Sequence, residues 1–159
     1  MIKPDKIEKS LPDLSLLFVR RYGNYTQSPC AAWQGMISFI KEDHFDCSKL
    51  RYFGISHDNP QITSEDRLRY DAAILVPQGG KEKGEVGHQV LKGGKYAIFT
   101  HHGSYDGLEQ AFSRIFLKWL PDSKETFDES RTVFCEYFNM EYGKIDPAKL
   151  ITKLYIPLK

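Results

Sequence analysis

The chain has 159 residues, enough for one domain with a buried core. Its 22 basic and 21 acidic residues leave a formal net charge of +1 and do not bunch locally, which argues against direct binding to nucleic acid or to an anionic membrane surface. The three cysteines, Cys30, Cys47 and Cys135, are odd in number and have no metal-binding spacing. The N-terminus has no apolar signal segment, and no apolar run is longer than a strand. We therefore predict a soluble, cytoplasmic protein with reduced thiols and no metal ion or other cofactor.

The first half of the chain is predicted to be strand, helix, strand and strand. Residues 1–13 are polar and form a lead-in. Strands are expected at 14–22, 51–57 and 68–76, and a helix from 28 to about 43. Ser28-Pro29 is a good helix start, because a hydroxyl N-cap is followed by proline at the first helical position. The predicted buried stripe of this helix is Ala32, Trp33, Met36, Ile37 and Ile40.

A glycine-rich link at 78–84 joins this half to the second. It places glycines beside lysines, but no Gly-Lys-Ser or Gly-Lys-Thr opens a helix there, so a nucleotide-binding loop is not supported. The expected strands that follow are 86–91, 95–102, 132–138 and 150–156, and the expected helix runs from about 105 to 119 and stops at Pro121. The predicted buried stripe of this second helix is Leu108, Ala111, Phe112, Ile115, Phe116 and Trp119. A loop containing Tyr142-Gly143 joins the last two strands.

One offset of eighty residues relates the two halves. It separates Gly23 and Tyr25 from Gly103 and Tyr105, Phe39-Ile40 from Trp119-Leu120, and Val76-Pro77 from Ile156-Pro157. The period is too long for a solenoid, whose repeats have about 20 to 50 residues. We therefore predict an α+β fold made by tandem duplication of a strand-helix-strand-strand unit, with antiparallel sheets and one long helix per unit. The halves are expected at about 12–77 and 85–159, with a ligand-binding cleft between them.

Most side chains that could carry chemistry also have a structural explanation. His101 and His102 are neighbours on a strand and point to opposite faces, so they cannot chelate one ion together. No Gly-x-Ser-x-Gly motif supports a serine nucleophile. Asp71, at a strand start, could be catalytic, but a salt-bridged carboxylate is the favoured interpretation. The other histidines, His44, His57 and His88, have no partner at a recognisable spacing.

The strand that begins at Phe134 places a carboxylate between aromatic residues. Phe134, Glu136 and Phe138 share one face, whereas Cys135 and Tyr137 share the other. If Glu136 faces a closed cavity, desolvation disfavours its charged form and a bound cation restores it. Aromatic walls would add cation–π attraction of roughly 2 kcal/mol. The alternative is an exposed glutamate on an edge strand.

Six short motifs follow one another along the chain. They are Asp58-Asn59-Pro60, Leu68-Arg69-Tyr70-Asp71, Gly93-Gly94-Lys95-Tyr96-Ala97, Gly103-Ser104-Tyr105, Trp119-Leu120-Pro121 and Leu154-Tyr155-Ile156-Pro157. In order and spacing they resemble the GyrI-like small-molecule-binding domain, the family of the effector-binding domains of AraC- and MerR-type multidrug-responsive regulators and of stand-alone proteins similar to the DNA gyrase inhibitor. The resemblance covers roughly residues 12 to 159. It implies that 1–159 is a single domain built of two pseudo-symmetric halves.

The resemblance also implies ligand-binding residues in the cleft between the halves. Tyr96 matches the family's tyrosine after the Gly-Gly turn, and strand alternation puts Ile98 beside it. Leu16 and Phe18, eighty residues earlier, are expected to face the same space.

A third part of the implied pocket is the family's glutamate in a Phe-Glu-x-Tyr-x-Asn pattern. Aligned without a gap, Phe134, Tyr137 and Asn139 match this pattern and Cys135 takes the glutamate's position. A shift of one residue recovers Glu136 instead, and a β-bulge would reconcile the two. We favour Cys135 slightly and keep Cys135, Glu136 and Tyr137 as candidates. The family's preference for cationic drugs depends on which residue faces the pocket.

Three functions are consistent with the resemblance. The first is a stand-alone protein that sequesters or senses an aromatic or amphipathic small molecule, cationic ones included, and acts in transcription regulation only through another chain. The second is a hydrolase of reactive electrophilic compounds, in which Glu136 steers water or acts as the acid and Tyr96 donates a hydrogen bond. The third is a protein–protein inhibitor of the DNA gyrase type. We favour binding without catalysis.

Overall fold

A computed structural model describes residues 2–140 and 144–159. The chain divides into two compact units. We call Asp13–Lys92 the contiguous unit, and the chain up to Pro12 together with Gly93–Lys159 the composite unit. The predicted halves, about 12–77 and 85–159, have other boundaries, and the duplication stays a prediction. The predicted loop at Tyr142-Gly143 lies outside the described residues.

The secondary structure of the described residues is of the predicted α+β class. The strands are β1 (Lys6–Leu11), β2 (Leu14–Tyr22), β3 (Arg51–Ser56), β4 (Arg69–Leu75), β5 (Gly87–Leu91), β6 (Gly94–His102), β7 (Phe134–Tyr137) and β8 (Ile151–Pro157). The helices are α1 (Ser28–Glu42), α2 (Leu108–Arg114) and α3 (Leu120–Asp122), with a π-helical segment, Ile115–Trp119, between the last two. Short 3₁₀ turns lie at Cys47–Lys49, Glu65–Arg67, Tyr105–Gly107 and Pro147–Lys149. Within this part of the chain, no helix is long and apolar enough to cross a membrane.

The contiguous unit is an antiparallel sheet in the order β3-β4-β2-β5, with α1 packed on one face. The buried residues of α1 include Ala32, Trp33, Met36 and Ile40 of the predicted stripe, and also Phe39. Trp33 anchors the helix: its ring lies 6.2 Å from that of Tyr52, and its Nε1 donates to the Tyr70 hydroxyl at 3.0 Å. Apolar side chains spaced three or four residues apart give the helix the single apolar face that this packing needs.

The composite unit is an antiparallel sheet in the order β1-β6-β8-β7. On one face, Phe99 meets Trp119 edge to face at 5.1 Å, and Tyr105 meets Tyr137 at 5.3 Å. In the predicted stripe, Leu108, Ala111, Phe112, Ile115, Phe116 and Trp119, only Ile115 is fully buried and the rest are half-buried. The helical path continues one residue past Pro121, where it was expected to stop, and α3 ends at Asp122.

The segment predicted as a polar lead-in contains β1. Ile7 pairs with Ala97 of β6, and the backbone N–H of Asp5 donates to the carbonyl of Ile98 at 2.8 Å. Its side chains are exposed or half-buried, so the segment lacks the alternating apolar pattern of a strand with one buried face. Backbone pairing along the edge of the sheet defines this strand, and sequence alternation does not.

Candidate functional site

Strand register separates the candidate residues of the composite unit into two faces. Residues opposite each other in an antiparallel pair lie on the same side of the sheet. Phe134 is opposite Tyr155, which is opposite Ile98, so these three side chains share one face. We call it the Tyr96 face and define it by Tyr96, Ile98, Phe134, Glu136 and Tyr155. The opposite face is the one on which Phe99 contacts Trp119.

Three buried aromatic rings form the centre of the Tyr96 face. Phe134 and Tyr155 stack, with ring centroids 4.5 Å apart and planes 11° from parallel. The Tyr96 ring meets both edge to face, at 5.5 Å from Phe134 and 6.3 Å from Tyr155. Offset stacking and edge-to-face contacts are the favoured arrangements of aromatic pairs, and they hold these rings in fixed orientations.

Glu136 lies beside this cluster with only 3% of its surface exposed. The Tyr155 hydroxyl donates a hydrogen bond to its Oε1 at 2.8 Å. Burying a carboxylate is costly unless hydrogen bonds or charges compensate, and this phenol supplies one such bond. Tyr155 is therefore part of the site. Sequence reasoning missed it, although the tyrosine stands in the quoted motif Leu154-Tyr155-Ile156-Pro157.

Arg131 holds Tyr96 in place. Its guanidinium lies 4.8 Å from the Tyr96 ring centroid and donates to the carbonyls of Gly93, Lys95 and Leu158, at 3.1, 3.2 and 2.5 Å. Its Nε also donates to Asp128 at 2.9 Å. Hydrogen bonds from Ser130 and then from Arg131 lower the pKa of Asp128 to about 2, so this partner is ionised at neutral pH. Arg131 thereby ties the start of β6 to the end of β8.

Gly94→Ala is expected to lower the free energy of unfolding by about 1–3 kcal/mol. Gly94 has φ of 121°, which side chains rarely adopt, and an added Cβ would lie 2.9 Å from Nη1 of Arg131. Urea unfolding measures the loss. Gly23→Ala is the matched control, because φ of Gly23 is 126° and nothing lies within 4 Å of the added Cβ. Gly23→Ala should therefore lower the free energy of unfolding by less than Gly94→Ala does. Equal losses would mean that Arg131 moves aside at no cost.

Cys135 and Tyr137 lie on the face opposite Tyr96, which corrects our preference for Cys135 at the glutamate's position. Cys135 is paired in register with Leu154, and Tyr137 packs against Tyr105. Burial raises the pKa of the Cys135 thiol to about 12, so it stays neutral. Strand alternation without a bulge therefore puts Glu136 on the same face as Tyr96 and Ile98. Tyr155 donates a hydrogen bond to Glu136, and the pairing of Tyr96 with Glu136 in hydrolysis stays a prediction.

Leu16 and Phe18 belong to the contiguous unit. They lie on the same face of its sheet as Asp71, since Phe18 is opposite Ala73 and Arg20 is opposite Asp71. Leu16 is fully buried and Phe18 half-buried, with the Arg20 guanidinium 5.1 Å from the Phe18 ring centroid. The predicted salt bridge of Asp71 is confirmed, because Arg20 Nε lies 2.8 Å from Oδ1.

Of the histidines, the structure places His57 beside Asp71, whereas His101 and His88 have other partners. His57, for which the sequence offered no partner, lies with Nε2 at 2.6 Å from Oδ2 of Asp71. Nε2 of His101 contacts the Ser104 carbonyl oxygen at 2.9 Å, and Nε2 of His88 lies 2.5 Å from the Ser15 hydroxyl. Among residues 2–140 and 144–159, no three His, Cys, Asp or Glu side chains come close enough to hold a metal ion.

Comparison with known proteins gives one family and several relatives. The family model of the GyrI-like small molecule binding domain matches residues 7–159. The chain is 31% identical over 108 residues to the "Probable transcriptional regulator YgiV" of Escherichia coli (strain K12), an alignment that covers 67% of this chain and 66% of that protein, just under two thirds of its length.

Solved structures share the fold at lower identity. The C-terminal domain of EcmrR matches with a TM-score of 0.71 and 18% identity, covering 97% of each chain. SAV2435, in a structure with bound tetraphenylphosphonium, matches with a TM-score of 0.65 and 16% identity, covering 97% of this chain and 93% of that one. At these identities the likeness is one of fold alone.

Proposed function

Because the chain belongs to the GyrI-like small molecule binding domain family, we propose that it binds an aromatic or amphipathic small molecule at the Tyr96 face, and thereby sequesters or senses it. The observation that carries this proposal is the buried carboxylate of Glu136 beside the three packed rings of Tyr96, Phe134 and Tyr155. The buried rings hold one another in fixed orientations, so little conformational entropy is lost when a flat or bulky apolar ligand reaches them.

The charge of the Tyr96 face favours a lipophilic cation as the ligand. Arg131 is paired with Asp128, so its positive charge is largely offset. Lys153, opposite Glu136 in the strand register, has its ammonium 5.0 Å from the Phe138 ring centroid. The Tyr155 hydroxyl is a neutral donor to Glu136, and a cationic ligand would add charge–charge attraction to this buried carboxylate. Aromatic faces would add cation–π attraction of roughly 2 kcal/mol when water is excluded.

Glu136→Gln is expected to weaken the binding of tetraphenylphosphonium by at least about tenfold, which is about 1.4 kcal/mol. The amide keeps the shape of the carboxylate and an acceptor for Tyr155, but removes the negative charge. Tetraphenylphosphonium is a suitable probe because it carries one permanent positive charge and four aromatic rings. Isothermal titration calorimetry at fixed salt measures its dissociation constant.

Glu129→Gln is the matched control, since it removes the same charge from an exposed position in the same unit. It should leave the affinity unchanged. Equal affinities of the two variants for tetraphenylphosphonium would contradict the assignment of Glu136, provided that thermal unfolding shows both variants to be folded. Absence of binding in the unchanged protein would contradict the preference for lipophilic cations.

We also infer that the two units descend from one duplicated module. In the contiguous unit, β2 precedes the helix and lies between the short edge strand β5 and β4. In the composite unit, β6 precedes the helix and lies between β1 and β8. This shared order, together with the offset of eighty residues, supports duplication.

A further inference from the structure

Asp71 collects side chains from the whole sheet of the contiguous unit. Arg20 of β2 donates twice, from Nε to Oδ1 at 2.8 Å and from Nη2 to Oδ2 at 2.9 Å. Gln89 of β5 donates to Oδ2 at 2.7 Å, and Nε2 of His57, which follows β3, lies 2.6 Å from the same oxygen. Asp71 itself, on β4, is fully buried. A carboxylate with this many donors has a fixed position, so the groups around it are fixed as well.

The carboxylate of Asp71 also determines which nitrogen of His57 carries the proton. Burial opposes ionisation of Asp71, but hydrogen bonds from His57, Arg20 and Gln89 outweigh it and lower its pKa to about 2. Nη2 of Arg20 also lies 3.4 Å from Nε2 of His57, but the contact to Asp71 is much shorter, at 2.6 Å. Because an ionised carboxylate only accepts hydrogen bonds, this shorter contact places the proton of neutral His57 on Nε2. The basic lone pair of the imidazole is then on Nδ1.

His57 is held at two points, and its side chain is partly exposed. Its backbone N–H donates to the carbonyl of Arg69 at 3.0 Å, and its ring is bonded to Asp71. The His57 side chain is 14% exposed. An imidazole oriented by a buried carboxylate, with its second nitrogen as the base, is the recurring arrangement of general-base catalysis.

We propose that His57 and Asp71 form a general-base dyad that hydrolyses small activated esters, with His57 as the catalytic residue and Asp71 as the positioning residue. The half-buried Phe18 ring, on the same face of the sheet, offers apolar surface for the substrate. Activated esters are the substrate class because their leaving group departs as a stable anion, so a base alone is sufficient. This activity goes beyond ligand binding at the Tyr96 face and uses residues of the other unit, so either proposal can fail without the other.

The reaction is a simple hydrolysis. Nδ1 of His57 accepts a proton from a water molecule as the water oxygen forms a bond to the ester carbonyl carbon. The tetrahedral intermediate collapses, the bond from carbon to the leaving oxygen breaks, and the leaving group takes that electron pair. The proton on Nδ1 then passes to solvent. The products are a carboxylic acid and an alcohol or phenolate, and nothing is oxidised or reduced.

His57→Gln is expected to lower kcat/KM for para-nitrophenyl acetate by at least about 100-fold, the lower range for loss of a general base. The glutamine amide can still donate to Asp71, so the network is preserved while the basic nitrogen is lost. Release of para-nitrophenolate, followed by absorbance after subtraction of the spontaneous rate, measures the activity. His88→Gln is the matched control: it removes an exposed imidazole from β5 and should leave kcat/KM unchanged.

Asp71→Asn tests the positioning role through the ring of His57. In ¹⁵N-labelled protein, long-range ¹H–¹⁵N spectra should show the proton of neutral His57 on Nε2, and Asp71→Asn should remove this preference and lower kcat/KM with it. The proposal is overturned if the unchanged protein hydrolyses the ester no faster than the spontaneous reaction. It is also overturned if kcat/KM of His57→Gln stays within about twofold of that of the unchanged protein. Should His57→Gln fail to fold, the spectra of the unchanged protein decide, because a proton on Nδ1 would exclude Nδ1 as the base.

Discussion

Asp71→Ala should lower the free energy of unfolding by about 3 kcal/mol, the lower end of the range for a broken buried ion pair. The substitution leaves the Arg20 guanidinium without its carboxylate and removes the acceptor of His57 and Gln89. The lower end applies because the Arg20 side chain is 29% exposed and regains some water. Urea unfolding followed by circular dichroism measures the change.

Asp66→Ala is the control for this result. Asp66 is an exposed aspartate of the same unit, and its loss should change the free energy of unfolding by at most about 0.5 kcal/mol. Similar losses for Asp66→Ala and Asp71→Ala would mean that the network around Asp71 contributes little to stability.

The same network gives the protein a defined sensitivity to acid. The pKa of Asp71 is about 2 in the folded protein, against an ordinary value of 3.8. A folded pKa below the unfolded one means that ionised Asp71 stabilises the fold above about pH 4, and that this contribution disappears as the pH falls to about 2. The stability difference between the unchanged protein and Asp71→Asn should therefore shrink over that interval. A constant difference would contradict the lowered pKa.

Phe134→Ala should cost about 3–5 kcal/mol of unfolding free energy and weaken ligand binding at the Tyr96 face. Phe134 is 1% exposed, stacks on Tyr155 and meets the edge of Tyr96, so its removal leaves a cavity between two rings. The freed Tyr155 ring also loses the orientation that directs its hydroxyl to Glu136. Phe134→Leu fills part of the space without a ring, so its stability should lie between that of the unchanged protein and that of Phe134→Ala.

Phe138→Ala provides the comparison for that prediction. Phe138 lies four residues farther along the chain and is 49% exposed, so little apolar area returns to water on its removal. It should cost less than about 1 kcal/mol. Chemical unfolding gives the stabilities, and titration with tetraphenylphosphonium gives the affinities. A stability loss for Phe134→Ala as small as that for Phe138→Ala would show that the stacked rings do not hold the Tyr96 face together.

Local pattern was sufficient to predict the elements whose side chains alternate or repeat, and insufficient where backbone pairing alone defines an element. The apolar stripe predicted the buried apolar residues of α1 with one error: Phe39 is buried, whereas Ile37, which was predicted to be buried, is half-buried. β1 was not predictable, because its exposed Lys6 and Lys9 give no alternation and its partner β6 lies about ninety residues away.

The candidate site shows the same limit at the level of single residues. Alternation along β7 separated Glu136 from Cys135 correctly, but it could not say which of the two shares a face with Tyr96. That choice depends on the register between β6, β8 and β7, which sequence spacing does not encode. The bonds of Tyr155 to Glu136 and of His57 to Asp71 depend on strand pairing in the same way.

The position of β1 has a consequence for how the protein emerges during synthesis. The segment before Pro12 is synthesised before the contiguous unit, yet its partner β6 is made only after the whole of that unit. At roughly 5–20 residues per second, β1 waits several seconds as an unpaired strand. Its charged Lys6, Glu8 and Lys9 suit this delay, because charge discourages an unpaired strand from joining a neighbouring chain. β1 therefore joins the sheet of the composite unit only once the strand that pairs with it, far along the chain, has been synthesised.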